Sequence, residues 1–491
     1  MGLKTRVALL MTLVGPWLSV FCERALAAER PNIVYIIADD LGYGDVQCLN
    51  PDRGMIPTPN IDRFASQGMT FTDAHSGSAV CTPTRYGLLT GRYAWRTRLQ
   101  QGVLDGGDDE PLIAEDRLTV PKLLKQNGYT TACLGKWHLG YNSQRPADSA
   151  RVAGTGKKAK AAANTLPVGS TIIGGPTTRG FDTFWGCSNA RTMQALVEND
   201  RVIEAIEPVD MLPRLGAKSV EYIASRAAEA RAGKPFFLYL PLTSPHTPIV
   251  PAAEWKGRSP LGNYADFVMQ TDAVVGEVLA ALDRAQLTDT TLVFFTSDNG
   301  CSPAAKTEQL EKQGHFASGS FRGYKADIWE GGHHVPFFAR WPGRIAAGSK
   351  SDQTICHSDL MATCAELLGT TLPGDAGEDS VSILPAVLGK ATGPIHEAVV
   401  HHSISGRFAI RQGPWKLCLC AGSGGWSKDG DAETPQLYRL DTDPGERHNV
   451  QAANPDVVSR LTKLLESYHS RGRSTPGSDR TNDGPVELFK P

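Results

Sequence analysis

Cys81-Thr82-Pro83-Thr84-Arg85 places one cysteine in a C-x-P-x-R context, the setting in which a thiol is oxidised to an aldehyde. Once hydrated, such an aldehyde is a nucleophile that no encoded side chain supplies. Five residues are a short pattern, and a lone cysteine is ordinarily a buried structural residue. The residues that follow sharpen the reading. Tyr86-Gly87-Leu88-Leu89-Thr90-Gly91-Arg92 reads as a short helix ending at a glycine, with Pro83 near its start, where a missing N–H matters least. Residue 81 is then expected at a helix N-terminus, where backbone donors favour an anion.

Asp39, Asp40, Asp298 and Asn299 form an all-oxygen set. Such a set suits a hard cation, Ca²⁺ or Mg²⁺, and not zinc. Asp-Asp and Asp-Asn-Gly are also common turn sequences, but each pair here follows an apolar run, and crowded carboxylates repel unless a cation sits between them. Gly135-Lys136-Trp137-His138 brings an ammonium and an imidazole two residues apart, on one side of an extended segment, so both could face one anionic group. His246 lies in Ser244-Pro245-His246-Thr247-Pro248, where prolines restrain the loop; a fixed imidazole there can protonate a leaving group. Arg322 and Lys325 sit on a glycine-containing loop ahead of Trp329-Glu330-Gly331-Gly332 and could close over an anionic ester. His333 and His334 follow, and adjacent histidines on a strand point apart.

The elements that must position these residues alternate. Asn32 to Ala38, Phe236 to Leu240 and Thr291 to Thr296 are continuous apolar runs, which suit strands covered on both faces. Helical patterns cover Pro59 to Gln67, Val120 to Asn127, Ala217 to Ala232 and Tyr264 to Arg284. This alternation predicts an α/β core with a mostly parallel sheet. Each apolar strand runs straight into polar residues: Asp39-Asp40, Ser244-Pro245-His246 and Ser297-Asp298-Asn299-Gly300. Ligands in open α/β sheets bind beyond the strands' carboxyl ends, so these segments are expected to converge on one crevice. After Leu368 the composition shifts. Phe408 to Arg411, Trp415 to Leu417 and Gln436 to Leu440 read as short antiparallel strands, Gly422 to Glu433 as a polar loop and Pro455 to Ser470 as a helix.

Lys4 and Arg6, an apolar run from Val7 to Phe21 and Ala25-Leu26-Ala27 read as a secretory signal peptide over residues 1–27, cleaved near Ala28. Residues 28–370 are then the catalytic α/β domain and 371–491 a C-terminal α+β subdomain with a polar tail. No other run reaches the about 20 apolar residues of a spanning helix, so no membrane span is expected. With 50 basic and 52 acidic residues, a nucleic-acid groove is not the main business of the chain. Nine cysteines remain after cleavage, an odd number for an exported protein, so at least one is expected to be unpaired or modified. Cys418 and Cys420 are spaced to point the same way on a strand. Ser149 to Asn164 reads as a surface insertion, and its Lys157 to Lys160 run and Arg191 are candidate contacts for anionic sugars.

Together these stretches resemble the formylglycine-dependent (type I) sulfatases, arylsulfatase-like members of the alkaline phosphatase superfamily, in order and approximate spacing. The matching residues are Asp39-Asp40-Leu41-Gly42, Cys81-x-Pro-x-Arg85 with Leu88-Leu89-Thr90-Gly91-Arg92, Gly135-Lys136-Trp137-His138, Pro245-His246-Thr247-Pro248, Ser297-Asp298-Asn299-Gly300, and Lys325 ahead of Glu330-Gly331-Gly332. The Gly413-Pro-Trp-Lys416 and Leu437-Tyr-Arg-Leu-Asp-Thr-Asp-Pro444 stretches are similar to that family's C-terminal subdomain. The resemblance implies the alkaline-phosphatase-like α/β sandwich. It implies that a formylglycine-generating enzyme converts Cys81 to formylglycine (3-oxoalanine), whose hydrate attacks an ester sulfur. It further implies that Asp39, Asp40, Asp298 and Asn299, with residue 81, hold Ca²⁺ or else Mg²⁺. By the same resemblance Arg85 orients the hydrate, Lys136 and Lys325 grip the sulfate, His246 protonates the leaving alcohol, and His138 takes the hydroxyl proton that expels sulfate. Arg322 joins them as a candidate substrate contact. A sulfated carbohydrate is the substrate class this fits. Two rivals stand beside it: a phosphonate monoester or phosphodiester hydrolase using the same converted cysteine, and a non-catalytic glycan-binding relative. A two-zinc phosphatase is disfavoured, since the strand ends lack the needed histidine pairs.

Overall fold

The computed structural model describes residues 30–106, 109–147, 166–193, 195–428 and 434–490. The expected signal peptide, the Ser149 to Asn164 insertion with its lysine run, and the end of the 422–433 loop lie outside the described residues, the last in part.

Five strands form the parallel centre of a twelve-stranded sheet: β1 (Asn32–Asp39), β2 (Thr130–Lys136), β3 (Thr183–Cys187), β4 (Phe236–Pro245) and β5 (Thr291–Ser297). They lie in the order β5-β1-β4-β2-β3, all parallel, with Val34 opposite Val293 on one side and Leu238 on the other. The expected parallel sheet is therefore its centre. On both flanks the sheet turns antiparallel, through Phe337–Arg340 beside β5 and Ala195–Glu198 beside β3. The long apolar runs belong to the centre because only there are both faces covered. Every residue of β1 is buried. Val34, Ile36 and Ala38 enter the core under two long helices, α2 (Pro208–Arg231) and α3 (Asn263–Arg284). Ile33, Tyr35 and Ile37 enter the opposite core with Tyr86, Leu88 and Leu89 of α1 (Cys81–Thr90).

α2 begins nine residues before the expected Ala217. Pro208 at its first position sacrifices no hydrogen bond. Met211, Leu212 and Leu215 are buried against the sheet, and that burial carries the helix through Pro213. α1 ends where the sequence places its stop, at Gly91, whose φ of 65° is the left-handed region a glycine adopts without strain.

The C-terminal part builds a separate antiparallel sheet in chain order, β6 (Val399–His402), β7 (Phe408–Gln412), β8 (Trp415–Cys418) and β9 (Gln436–Arg439). Helix α4 (Pro455–Ser470) covers it with Val457, Leu461, Leu465 and Tyr468, a 4-residue stripe packed on Phe408, Ile410, Leu417 and Leu437. Cys418 and Cys420 lie in one apolar cluster, as their spacing predicts, and all nine described cysteines are free thiols.

A buried fork holds the segment after α1. Arg96 Nε and Nη2 donate to the two Asp379 oxygens at 2.8 Å each, and Asp379 also accepts from the Tyr93 and Ser474 backbones. Asp379→Ala strands a fully buried guanidinium, so it is expected to lower unfolding free energy by about 3–5 kcal/mol. Urea denaturation of the variant against wild type measures this.

Candidate active site

The carboxyl ends of β1, β2, β4 and β5 deliver Asp39, Lys136, His246 and Asp298 to one edge of the sheet. The chain leaves β1 abruptly: Asp40 sits at φ 68°, a left-handed conformation that Asp tolerates and most side chains do not. That turn is held from β5, since the Asp40 N–H donates to Asp298 Oδ1 at 3.1 Å and the Leu41 N–H to Ser297 Oγ at 3.0 Å. Cys81 is the first residue of α1, at the helix end that favours negative charge. Its Sγ and donor atoms of Asp39, Asp40 and His246 all lie within 4.8 Å of one another, all buried.

Three cations meet three carboxylates here. Lys136 Nζ donates to both Asp39 oxygens, at 3.0 and 2.8 Å. Lys325 Nζ donates to Asp40 Oδ1 and stands 3.4 Å from Cys81 Sγ. Arg85 donates to Asp298 Oδ2 through Nε (3.1 Å) and Nη2 (2.7 Å), and to the Lys136 carbonyl. Burial alone would raise the Asp39 carboxyl, yet Lys136 above all, with His246 and Arg85, holds it at about 2. Burial pushes the Cys81 thiol up to about 12 despite both lysines. An unmodified Cys81 is therefore a protonated thiol and a poor nucleophile.

The acid and amide oxygens fit a hard divalent cation. Asn299 Nδ2 donates to Asp40 Oδ1 at 2.8 Å, which leaves Asn299 Oδ1 buried with no hydrogen-bond partner. An orphaned buried carbonyl beside three carboxylates is a ligand set for Ca²⁺ or Mg²⁺. The charges of Asp39, Asp40 and Asp298 against Arg85, Lys136 and Lys325 cancel, so a bound divalent ion makes the pocket net positive, the sign that attracts an anionic ester.

Both histidines have a defined free nitrogen. His246 Nδ1 donates to the Thr247 carbonyl, leaving Nε2 toward the cluster, 3.7 Å from Asp40 Oδ2. His138 sits at φ 56°, so the segment after Lys136 turns instead of running on extended. His138 Nε2 lies 2.9 Å from the Leu104 carbonyl and 3.0 Å from Asn189 Nδ2, while Nδ1 is buried without a partner. Burial, then Lys136, pushes His138 well below the usual imidazole range, so it is neutral and can accept a proton.

Asn189 was not among the expected site residues. Its signal was present: Ser188-Asn189 is a polar pair at the carboxyl end of β3, as Asp39-Asp40 is at that of β1. Leu104, whose N–H bonds Thr82 Oγ1 at 3.2 Å, ties the His138 acceptor to α1. Arg322 was expected as a substrate contact. Its guanidinium stacks 3.6 Å over Trp329 and donates to the Glu446 carbonyl at 2.9 Å. The loop turns it toward the C-terminal sheet and delivers Lys325 to the cluster. Arg191 is exposed beside Asn189, its N–H donating to Asn189 Oδ1.

A parallel sheet with this acid, amide and lysine cluster at its carboxyl edge is the alkaline-phosphatase-like architecture. Residues 31–370 match the sulfatase family model, and the chain belongs to the sulfatase family. It is 33% identical over 488 residues to an N-acetylgalactosamine-6-O-sulfatase of Bacteroides thetaiotaomicron, covering 90% of this chain and 94% of that protein. It is 33% identical to human arylsulfatase A over 480 residues, covering 89% and 87%. A solved 6S-sulfatase structure described within the metabolism of multiple glycosaminoglycans by Bacteroides thetaiotaomicron superimposes with a TM-score of 0.77 at 31% identity, covering 89% of this chain and 99% of that one. The chain is a sulfuric ester hydrolase.

Proposed function

We propose that this protein is an exported sulfatase that removes sulfate from a carbohydrate, with Cys81 converted to formylglycine and Ca²⁺ as its ion. The observation that carries this reading is the placement of Cys81 Sγ within 4.8 Å of donor atoms of Asp39, Asp40 and His246, with Lys325 Nζ 3.4 Å away. The carbohydrate substrate is supported by the galactosamine sulfatase and glycosaminoglycan relatives. Secretion or periplasmic export is supported by the sequence of residues 1–27, and no helix among the described residues is long and apolar enough to cross a membrane.

Asp39, Asp40, Asp298 and Asn299 would hold the divalent ion, which when bound supplies a Lewis acid for the sulfate oxygens. The converted residue supplies a hydrate with two hydroxyls on one carbon, one to attack sulfur and one to expel sulfate afterwards. The rest falls to this chain's own side chains. Lys136 and Lys325 bind the sulfate oxygens and offset the charge that grows as the ester bond breaks. Arg85 positions the attacking group through its fork on Asp298. His246 delivers a proton through Nε2 to the departing alcohol. His138 accepts the remaining hydroxyl proton at Nδ1, its orientation fixed by Nε2–H donating to the Leu104 carbonyl.

Chelating the divalent ion is expected to abolish hydrolysis and to weaken binding of an anionic ester, because the pocket returns to neutrality. Added Ca²⁺ should restore both, which a ligand-binding titration alongside the rate measures. The function itself is tested with matched aryl sulfates, aryl phosphates and sulfated oligosaccharides, using protein from a host that converts cysteine. Sulfate release lost in Cys81→Ala is the expected result, and faster phosphorus-ester cleavage would overturn it.

A further inference from the structure

We propose that the C-terminal subdomain takes part in catalysis by positioning Lys325, and that Asp327 is the residue through which it acts. The role presupposes that Lys325 binds the transferred sulfate. The backbone around Lys325 is gripped from three directions. The Lys325 N–H donates to the Cys301 carbonyl at 2.9 Å, just past Asn299, and the Ala326 N–H donates to the Ala79 carbonyl at 2.8 Å, just ahead of Cys81. The third grip comes from the C-terminal subdomain, where the Ile404 N–H donates to the Ala326 carbonyl at 3.0 Å. Ala326 stands at φ 82°, a left-handed conformation that a side-chain-bearing residue keeps when its surroundings impose it.

Asp327 ties the turn that carries Lys325 to the segment between β8 and β9. Its Oδ1 accepts from the Trp426 N–H at 2.9 Å and the Ser427 N–H at 3.1 Å. Its Oδ2 accepts from the Ser427 hydroxyl at 2.5 Å and the Tyr324 N–H at 2.9 Å. One fully buried carboxylate thus closes the lysine's turn and docks the C-terminal segment at once. That segment is shaped to receive it. Ser423 Oγ donates to the Ser427 carbonyl at 2.8 Å and accepts from the Gly425 N–H at 3.0 Å, and the Ile328 N–H donates to the Ser423 carbonyl at 2.8 Å. Gly425 lies directly on the Ala326–Asp327 peptide: a Cβ there would come 2.3 Å from the Ala326 carbonyl oxygen and 2.6 Å from Asp327 Oδ1. Such a close approach of two backbones requires glycine.

All four groups on the two oxygens are donors, three of them backbone N–H. An amide of the same shape therefore fits in neither orientation, because its NH₂ would meet either the Tyr324 N–H or the Trp426 and Ser427 N–H pair. At the other end of the turn Lys325 Nζ stands 3.4 Å from Cys81 Sγ and bonds Asp40. A displacement of about 1 Å there is enough to cost about 10²-fold in rate.

The test is a double-mutant cycle on the full-length converted protein, with aryl sulfate kcat and KM normalised to folded enzyme and to the aldehyde fraction at residue 81. Asp327→Asn is expected to lower kcat about 10–100-fold in the wild-type background. In the Lys325→Ala background it should change kcat less than about twofold, since the group it positions is gone. Should Asp327→Asn fail to fold, Ser427→Ala removes a single donor and should give a smaller loss of kcat that also vanishes with Lys325→Ala. Equal fold-losses in both backgrounds would overturn the proposal, because a carboxylate that merely holds the C-terminal sheet in place acts regardless of the lysine. A Lys325→Ala variant as active as wild type would instead remove the sulfate-binding role of the lysine, and the positioning role with it.

Discussion

Cys81→Ser is expected to turn a cycling enzyme into one that reacts once. Serine fits where the thiol sits, at the first turn of α1 beside Lys325, and a buried hydroxyl there can still be sulfated. It offers only one hydroxyl, so the resulting serine sulfate is an ester as stable as the substrate and has no internal route to expel sulfate. The variant should release a burst of alcohol no larger than the enzyme concentration, then turn over at least about 10³–10⁴-fold more slowly, the scale on which loss of a covalent-catalysis group is felt. Rapid-quench kinetics give the burst. The mass of the peptide containing residue 81 gives the trapped sulfo group. Sustained turnover near the wild-type rate would remove the second hydroxyl from the mechanism.

Lys325→Ala carries the next largest effect. The ammonium bonds Asp40, a proposed metal ligand, and lies against Cys81, the proposed nucleophile. Its loss removes charge stabilisation in a desolvated pocket, and kcat should fall about 10²–10³-fold. Lys325→Arg should not rescue it, because a planar guanidinium cannot take the place of a compact ammonium in a closed site. Arg322→Met, three residues away, keeps the bulk stacked on Trp329 and should leave kcat close to wild type. Equal losses in the Lys325 and Arg322 variants would mean that the loop acts as a unit and that its internal geometry has been misassigned.

The two substitutions differ in a way that also marks what a sequence can disclose. Both residues are cations on one glycine-containing loop, and their spacing makes them equivalent candidates. Only packing separates them: Trp329 and the Glu446 carbonyl, the latter more than a hundred residues along the chain, capture Arg322. The strand-end residues were legible because an unbroken apolar run followed at once by Asp-Asp or Asp-Asn has one place to go in a parallel sheet. The antiparallel flanks were not, since strands of three or four residues carry too little pattern. The early start of α2 was hidden by Pro208 and Pro213, which read as breaks until burial of Met211, Leu212 and Leu215 overrides them. Asn189 was passed over because its partner, His138, reaches it only after a left-handed turn. His333 and His334 do point apart, as adjacency suggests, but the partners of His333, His75 at its Nδ1 and His401 stacked on its ring, depend on how the two sheets dock.

The central claim is that sulfate ester hydrolysis runs through a converted Cys81. Preparations that differ in conversion, made with and without the formylglycine-generating enzyme, can be compared by peptide mass at residue 81 and by sulfate release on the same samples. The account predicts a rate that rises in proportion to the aldehyde fraction and vanishes with it. Full sulfate release by protein whose residue 81 is entirely thiol would contradict it.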